Sequence, residues 1–174
     1  MFLNINKKLN ITLCGMMGSG KSSIGKIIAK KISYKFIDID KLIEKKEKKS
    51  INSIFEENGE KYFRVLEEKT TIDLLHQVNV VISLGGGAVT NRNIRDCIKK
   101  NSYNIYLNTS IKTLENRLRY SKSRPLIKEK NIIITLEELI KKREKFYLEA
   151  DYVIQNEVSI LNTTNKIMDK ITND

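Results

Sequence analysis

A glycine-rich motif constrains the fold of this chain more than any other feature. Residues 15–22, GMMGSGKS, fit the pattern G-x-x-x-x-G-K-[ST] at every position. The apolar segment NITLC precedes the motif, and isoleucines at positions 24, 27, 28 and 32 follow it with helical spacing. A strand, a glycine-rich loop and a helix in this order predict a loop whose backbone N–H groups hold a phosphate group.

The motif also predicts the nucleotide and the metal. Lys21 is expected to reach the β- and γ-phosphates of ATP, and the Ser22 hydroxyl is expected to bind Mg²⁺. A guanine-binding N-K-x-D motif is absent, because NKIMD at 165–169 has its aspartate one position too late. We therefore predict ATP and Mg²⁺ as the cofactors. The other cofactor-binding candidates of the loop are Gly18, Ser19, Gly20 and Ser23.

Apolar runs and helical patterns alternate along the 174 residues, as in βαβ units. The predicted strands are 10–14, 35–40, 78–84, 103–107 and 152–155. Helical stripes connect them, Thr135–Glu138 is interpreted as a capping box that opens a helix to about Tyr147, and a C-terminal helix follows the last strand. The pattern predicts an α/β fold of three layers, α/β/α, with a mostly parallel five-stranded sheet.

Length and composition favour one domain in a reducing compartment. The chain has one proline and no Gly/Ser linker, so it is expected to be a single domain. Cys14 and Cys97 lack metal-ligand spacing, and no apolar run is long enough to span a membrane, so a cytoplasmic protein is expected. The net charge of +11 could serve nucleic-acid binding, but the lysines are scattered along helices, which favours a compositional bias.

Two aspartates lie at the end of the predicted second strand. The segment FIDID places Asp38 and Asp40 two residues apart, so both would project from one side of a strand toward the phosphate loop. One carboxylate could hold magnesium, and the other could orient a substrate hydroxyl and accept its proton. No carboxylate ends the third strand, so the magnesium ligand must come from elsewhere. The alternative for Asp40 is the N-cap of the next helix.

Further candidates follow the third strand and lie on helices. Three consecutive glycines, 85–87, favour close approach of a ligand to the backbone, although a plain turn is the alternative. Arg64 could be an exposed helix residue paired with Glu67 or Glu68. Residues 121–131 are interpreted as a mobile lid that carries Arg124 toward the transferring phosphate. From the residues alone, Arg143 is no more than a solvated helix residue.

Together these segments resemble the shikimate kinase family of P-loop kinases, which have a fold like that of nucleoside monophosphate kinases. The resemblance covers nearly the whole chain and rests on the order and spacing of several segments. In chain order they are GMMGSGKS, FIDID, SINSIFEENGEKYFR, GGGAV, the R-P-L of the lid, and R-x-x-x-Y-x-x-A-D at 143–151.

The resemblance implies a role for each candidate. Asp40 would bind the substrate hydroxyls and activate the 3-hydroxyl of shikimate, and Asp38 would assist Ser22 with magnesium. Arg64 and Arg143 would bind the shikimate carboxylate, with a guanidinium matched to a carboxylate. The remaining implied contacts are backbone groups of Gly86 and Gly87 to the substrate, with Gly85 supporting the turn, Arg124 to the phosphates and Arg117 stacked on adenine.

The implied activity is transfer of the ATP γ-phosphate to shikimate, giving shikimate 3-phosphate and ADP in the pathway to chorismate and the aromatic amino acids. The substrate-binding region would lie at about 38–66. The implied partners are shikimate and ATP, with no nucleic acid or membrane, and a monomer is expected. Two alternatives stay open: a kinase of another small hydroxy acid such as gluconate, and a nucleotide-dependent nucleic-acid-binding protein.

Overall fold

The computed structural model describes residues 8–119, 132–156 and 159–172. Its strands are β1 (Asn10–Cys14), β2 (Lys35–Asp38), β3 (Val80–Ser83), β4 (Ser102–Asn108) and β5 (Tyr152–Gln155). Its α-helices are α1 (Lys21–Ile32), α2 (Ile39–Glu47), α3 (Ile51–Leu75), α4 (Arg92–Asn101), α5 (Ile111–Leu118), α6 (Ile132–Tyr147) and α7 (Ile160–Thr172). A short 3-10 helix, Ala88–Thr90, follows β3.

The five strands form one parallel sheet in the order β2-β3-β1-β4-β5. The chain leaves β1 for the edge strand β2, returns through β3, and then crosses to β4 on the other side of β1. The loop after β1 therefore opens where the connections diverge, which is where ligands bind in sheets of this kind. The predicted fold class is confirmed.

Helices cover both faces of the sheet. Neighbouring residues of a strand point to opposite faces, so Leu13 belongs to one apolar cluster and Cys14 to the other. On the first face α1 and α7 supply Ile24, Ile28 and Ile167, while α2 to α6 pack on the second face. This packing explains why β1 and β3 are buried at every residue and have nearly unbroken apolar sequences.

The end of β2 and the start of α6 differ from the sequence predictions. β2 ends at Asp38, whose Oδ1 accepts the Lys41 N–H at 3.3 Å and caps α2. Asp40 therefore lies in the first turn of α2, so the prediction of two aspartates on one strand is wrong, as is the alternative of Asp40 as the N-cap. α6 is already helical at Ile132, which packs on the core, so the predicted capping box at Thr135–Glu138 lies inside the helix.

α3 contains a kink at Gly59, where φ is 80° and ψ is 167°. Only glycine adopts this conformation readily. The kink separates the first turns of α3, which begin near the cleft at Ile51, from the segment that carries Arg64 and the buried Phe63. Among the described residues, no helix combines the length and apolar character required to cross a bilayer.

Candidate active site

The loop between β1 and α1 wraps around the amino group of Lys21. The Lys21 side chain is buried, and its Nζ donates to two loop carbonyl oxygens at 2.8 and 2.9 Å. Gly15 has a φ of 137°, and a Cβ there would lie 2.8 Å from the carbonyl oxygen of Leu107. The turn therefore requires glycine for both conformation and space. The result is a fixed positive charge beside the N-terminus of α1, where an anion is favoured.

α5 places a second cation at the outer edge of this loop. Nη1 of Arg117 donates to the carbonyl oxygen of Gly18 at 3.3 Å. The next residue, Leu118, packs against Gly18, and a Cβ on that glycine would lie 3.1 Å from Leu118 Cγ. Arg117 thus lines the cleft with its side chain tied to the loop.

Oxygen ligands from three elements meet beside the loop. Ser22, in the first turn of α1, donates from Oγ to Oδ2 of Asp38 at 2.5 Å. The Oγ of Ser83, at the end of β3, lies 3.4 Å from the Ser22 Oγ. Ser83 is also the register partner of Asp38 in the sheet. Hydroxyl and carboxylate oxygens are the ligands that Mg²⁺ prefers, so this group fits that ion.

The three glycines after β3 each make room for charged side chains. A Cβ on Gly85 would lie 2.3 Å from Oε1 of Glu67 and 3.0 Å from Oδ1 of Asp40. On Gly87 it would lie 2.8 Å from both terminal nitrogens of Arg64. The segment therefore has no side chains because four charged groups converge on it. They are Asp40, Arg64, Glu67 and, from α6, Arg143.

Arg64 is held between two glutamates of its own helix. Its Nη1 donates to Oε2 of the buried Glu67 at 2.6 Å, and its Nε and Nη2 donate to Oε1 of the exposed Glu60 at 3.1 and 2.8 Å. Burial raises the pKa of the Glu67 carboxyl, and the charge of Arg64 opposes that rise. Burial also opposes the charge of Arg64, but the two carboxylates outweigh it and raise the pKa of the guanidinium.

α6 supplies the fourth charged group and a tyrosine that bonds to the glycine segment. Arg143 is only 7% exposed, and its Nη1 lies 3.4 Å from where a Gly86 Cβ would be. One turn later, the fully buried Tyr147 donates from its hydroxyl to the Gly86 carbonyl oxygen at 2.5 Å. Burial raises the pKa of Tyr147, so its hydroxyl stays protonated and remains a donor. The solvated position expected for Arg143 from its helix alone is wrong.

These groups line two connected spaces. A cleft of about 710 Å³ runs along the phosphate loop past Asp38 and Arg117. A smaller pocket of about 80 Å³ lies between α3, α6 and the glycine segment and contains Arg64 and Arg143. Asp40, Ile51 and Gly86 line both spaces. The geometry therefore places a phosphate-binding loop next to a pocket that suits a small anion, with a carboxylate at the boundary.

Comparison with known proteins agrees with this geometry. The family model for shikimate kinase matches residues 17–173. The chain belongs to the shikimate kinase family. This kinase is 42% identical over 164 residues to the shikimate kinase of Persephonella marina, an alignment that covers 93% of this chain and 98% of its relative. The predicted enzyme class, an ATP-dependent kinase that phosphorylates a hydroxyl group, is confirmed with the family.

Solved structures separate this kinase from other kinases of the same fold. The shikimate kinase of Acinetobacter baumannii, in a complex with shikimate, superimposes with a TM-score of 0.90 at 34% identity and covers 94% of this chain and 93% of its own. A gluconokinase of Sinorhizobium meliloti reaches a TM-score of 0.61 at 16% identity, with coverage of 97% and 94%, which shows the shared fold alone. The gluconate and nucleic-acid alternatives are therefore not favoured.

The structure places most of the predicted site residues in or beside the two spaces. Ser19 differs, because its side chain is fully buried and its N–H donates to the Met16 carbonyl oxygen at 3.1 Å. Arg124 and the predicted lid at 121–131 lie outside the described residues. The other candidates that line the cleft or the pocket are Gly18, Gly20, Lys21, Ser22, Ser23, Asp38, Asp40, Arg64, Gly86, Gly87, Arg117 and Arg143.

Two residues of this kinase's site were not identified from the sequence. Glu67 was considered only as the partner of an exposed arginine, whereas it is 1% exposed and lines the smaller pocket. Its spacing of three from Arg64 was the available signal, but that spacing is common on helix surfaces. The second is Asn156: the family resemblance implies only a position near the adenine, and the structure shows its side chain buried against the phosphate loop.

Proposed function

We propose that this kinase transfers the γ-phosphate of ATP to the 3-hydroxyl of shikimate, releasing shikimate 3-phosphate and ADP, on the route to chorismate and the aromatic amino acids. The observation that carries the proposal is the shared boundary of the cleft and the pocket at Asp40. Such a boundary suits in-line transfer, because the acceptor hydroxyl oxygen must lie close to the γ-phosphate of the donor.

The acceptor end of the site suits a small acid that carries several hydroxyl groups. Arg64 and Arg143 would bind its carboxylate, since a planar guanidinium offers two parallel donors to a carboxylate. The backbone at Gly86 and Gly87 would approach the ring of the substrate closely, because neither residue has a side chain of its own to keep the ring away.

Asp40 would position and activate the acceptor hydroxyl. It lies in the first turn of α2, at the boundary that both spaces share. A carboxylate there can accept a hydrogen bond from the 3-hydroxyl, direct its oxygen toward the γ-phosphate, and take up the proton as the new bond forms.

The donor end would neutralise the charge of ATP. Ser22 and Asp38 would hold Mg²⁺, which supplies charge neutralisation at the β- and γ-phosphates when bound. Lys21 would contact the same phosphates, and Arg117 would stack on the adenine ring. Arg124 would add positive charge at the transferring phosphate during the reaction.

We propose further that residues 1–174 act as a single kinase domain, with the acceptor region at about 38–66, and that the enzyme is a cytoplasmic monomer without nucleic-acid or membrane partners. The lysines are scattered along helices and the sequence contains no RNA-binding aromatic motif, which supports the absence of a nucleic-acid site.

Shikimate-dependent release of ADP tests the proposal. Purified enzyme with ATP and Mg²⁺ should release ADP when shikimate is added and should show little release with gluconate at the same concentration.

The Arg64→Ala variant should raise the KM for shikimate far more than the KM for ATP. Turnover with gluconate but not with shikimate would overturn the proposed substrate. Salt-sensitive binding of DNA or RNA without phosphorylation of either acid would instead support the nucleic-acid alternative.

A further inference from the structure

The residue after β5, Asn156, connects the phosphate loop to two other elements. Its side chain is 1% exposed and donates from Nδ2 to the carbonyl oxygen of Ser19 at 2.5 Å. Thr163 of α7 donates from Oγ1 to the Oδ1 of Asn156 at 2.9 Å. The backbone N–H of Asn156 donates to the Asn108 carbonyl oxygen at 2.8 Å. The carbonyl of Ser19 can only accept, so the amide nitrogen of Asn156 must face the loop.

This contact fixes one peptide plane of the loop. In a trans peptide the C=O and the following N–H point in opposite directions, and the described residues contain no cis peptide. Because the Ser19 carbonyl points toward Asn156, the N–H of Gly20 points to the opposite side, away from α7. Gly20 lines the cleft and is the N-cap of α1, immediately before Lys21.

The packing around this contact leaves the peptide little freedom. A Cβ on Gly20 would lie 3.3 Å from Nδ2 of Asn156. Thr163 is itself 3% exposed, so both members of the side-chain pair are held in the interior. α7 also begins at Ile160, which lines the same cleft. Asn156 therefore connects the loop with the helix that forms one wall of the cleft.

We propose that Asn156 is a positioning residue for the phosphate loop. Its amide, oriented by Thr163, holds the peptide between Ser19 and Gly20 in the direction that aims the Gly20 N–H at the nucleotide phosphates. The inference rests on the proposed function only in that the loop binds ADP and ATP. It does not depend on which acid is the acceptor.

Direct binding of ADP with Mg²⁺, measured by calorimetry without any acceptor, tests the assignment. The Asn156→Ala variant should raise the Kd for ADP by about tenfold, equivalent to about 1.4 kcal/mol. The Thr163→Val variant keeps the shape of the side chain but removes the hydroxyl that orients Asn156, and it should raise the Kd by about threefold. In steady-state assays the KM for ATP should rise in both variants while the KM for shikimate stays within about twofold.

Asn10 provides a matched control at the opposite end of the sheet. It is 2% exposed, and its side chain bonds to the backbone of residues 75, 77 and 80. Asn10→Ala should lower the stability of the fold, since it also removes a buried amide. Its Kd for ADP should nevertheless stay within about twofold of the wild-type value, because Asn10 lies at the amino end of β1, far along the strand from the loop.

Two results would overturn the assignment. One is a Kd for ADP within about twofold of wild type in both Asn156→Ala and Thr163→Val. The other is an equal rise in Asn10→Ala, which would reduce the effect to general loss of stability. If circular dichroism shows that Asn156→Ala does not fold, Thr163→Val alone decides. Failure of the proposed acceptor would give a separate result: wild-type enzyme would bind ADP in calorimetry but would form no ADP from ATP when shikimate is added.

Discussion

The Oγ of Ser22 and the Oδ2 of Asp38 are 2.5 Å apart, and this hydrogen bond joins the first turn of α1 to the end of β2. The other carboxylate oxygen of Asp38 caps α2. One aspartate therefore connects the phosphate loop to the helix that carries Asp40. If Mg²⁺ binds here, its ligands are already in contact across two elements.

The first prediction concerns this proposed magnesium site. Asp38→Asn keeps an oxygen that can cap α2 but removes the charge that favours a divalent cation. We expect the Mg²⁺ concentration for half-maximal ADP release to rise at least about tenfold. A Mg²⁺ titration at fixed ATP measures it. Asp73→Asn makes the same charge change on the exposed surface of α3 and should leave the titration unchanged. An equal shift in both variants would argue against a ligand role for Asp38.

The second prediction concerns Asp40. Asp40→Asn keeps the size of the side chain but cannot accept a proton from the acceptor hydroxyl. We expect kcat to fall by about 10²- to 10⁴-fold, the usual contribution of a general base, while the Kd for ADP stays within about twofold. Steady-state kinetics and calorimetry measure the two quantities. Retention of full kcat would exclude a role for this carboxylate in proton transfer.

The third prediction separates the two glutamates that hold Arg64. Glu67 is 1% exposed, whereas the Glu60 side chain is 62% exposed. Loss of the buried partner leaves Arg64 without its fixed direction, so Glu67→Ala should raise the KM for shikimate about tenfold. Glu60→Ala removes a solvent-screened contact and should raise it less than about threefold. Equal effects of the two variants would show that burial does not decide which glutamate positions the arginine.

The fourth prediction contrasts two glycines. A Cβ on Gly87 would lie 2.8 Å from two nitrogens of Arg64, so Gly87→Ala must displace the guanidinium and raise the KM for shikimate. A Cβ on Gly59 would meet no atom within 4 Å, but its backbone conformation strains any other residue. Gly59→Ala should therefore lower the free energy of unfolding by about 1–3 kcal/mol. Kinetics and urea denaturation of both variants test whether the two effects separate in this way.

The fifth prediction concerns stability alone. Lys48 ends α2 in the left-handed conformation, with φ of 55° and ψ of 28°, where glycine is favoured. Lys48→Gly should raise the free energy of unfolding by about 0.5–1 kcal/mol in urea denaturation, with an unchanged m-value. Lys45→Gly, inside the same helix, should lower it by about 1 kcal/mol. A loss of stability in Lys48→Gly would contradict the strain argument.

The alternation of strands and helices along the chain and the phosphate loop were within reach of the sequence because both depend on local patterns. A complete motif, flanked by an apolar run and an amphipathic segment, leaves few alternatives to the loop between β1 and α1. The end of β2 could not be predicted from the sequence, because the last residue of a strand and the N-cap of a helix can have the same extended backbone conformation. Asp38 is both, and only its bond to the Lys41 N–H shows that the strand ends there.

The side chains that line the smaller pocket also could not be predicted from the sequence. The triple glycine indicated a close approach to the backbone, but not which groups approach it. Glu67 and Arg143 reach the glycines from α3 and α6, and their burial depends on how those helices pack. A polar residue on a helix has the same local pattern whether it faces solvent or a pocket, so tertiary packing decides its role.

The bare backbone after β3 also determines how the enzyme could acquire a different acceptor. The pocket takes its chemistry from side chains on α2, α3 and α6 that converge over Gly85, Gly86 and Gly87. Any side chain added to the glycine segment would first occupy the space that these charged groups need, so it would disrupt the pocket rather than adapt it to another acceptor. Redesign for a new acceptor therefore has to exchange donors and acceptors on the three helices while the glycine segment is kept unchanged.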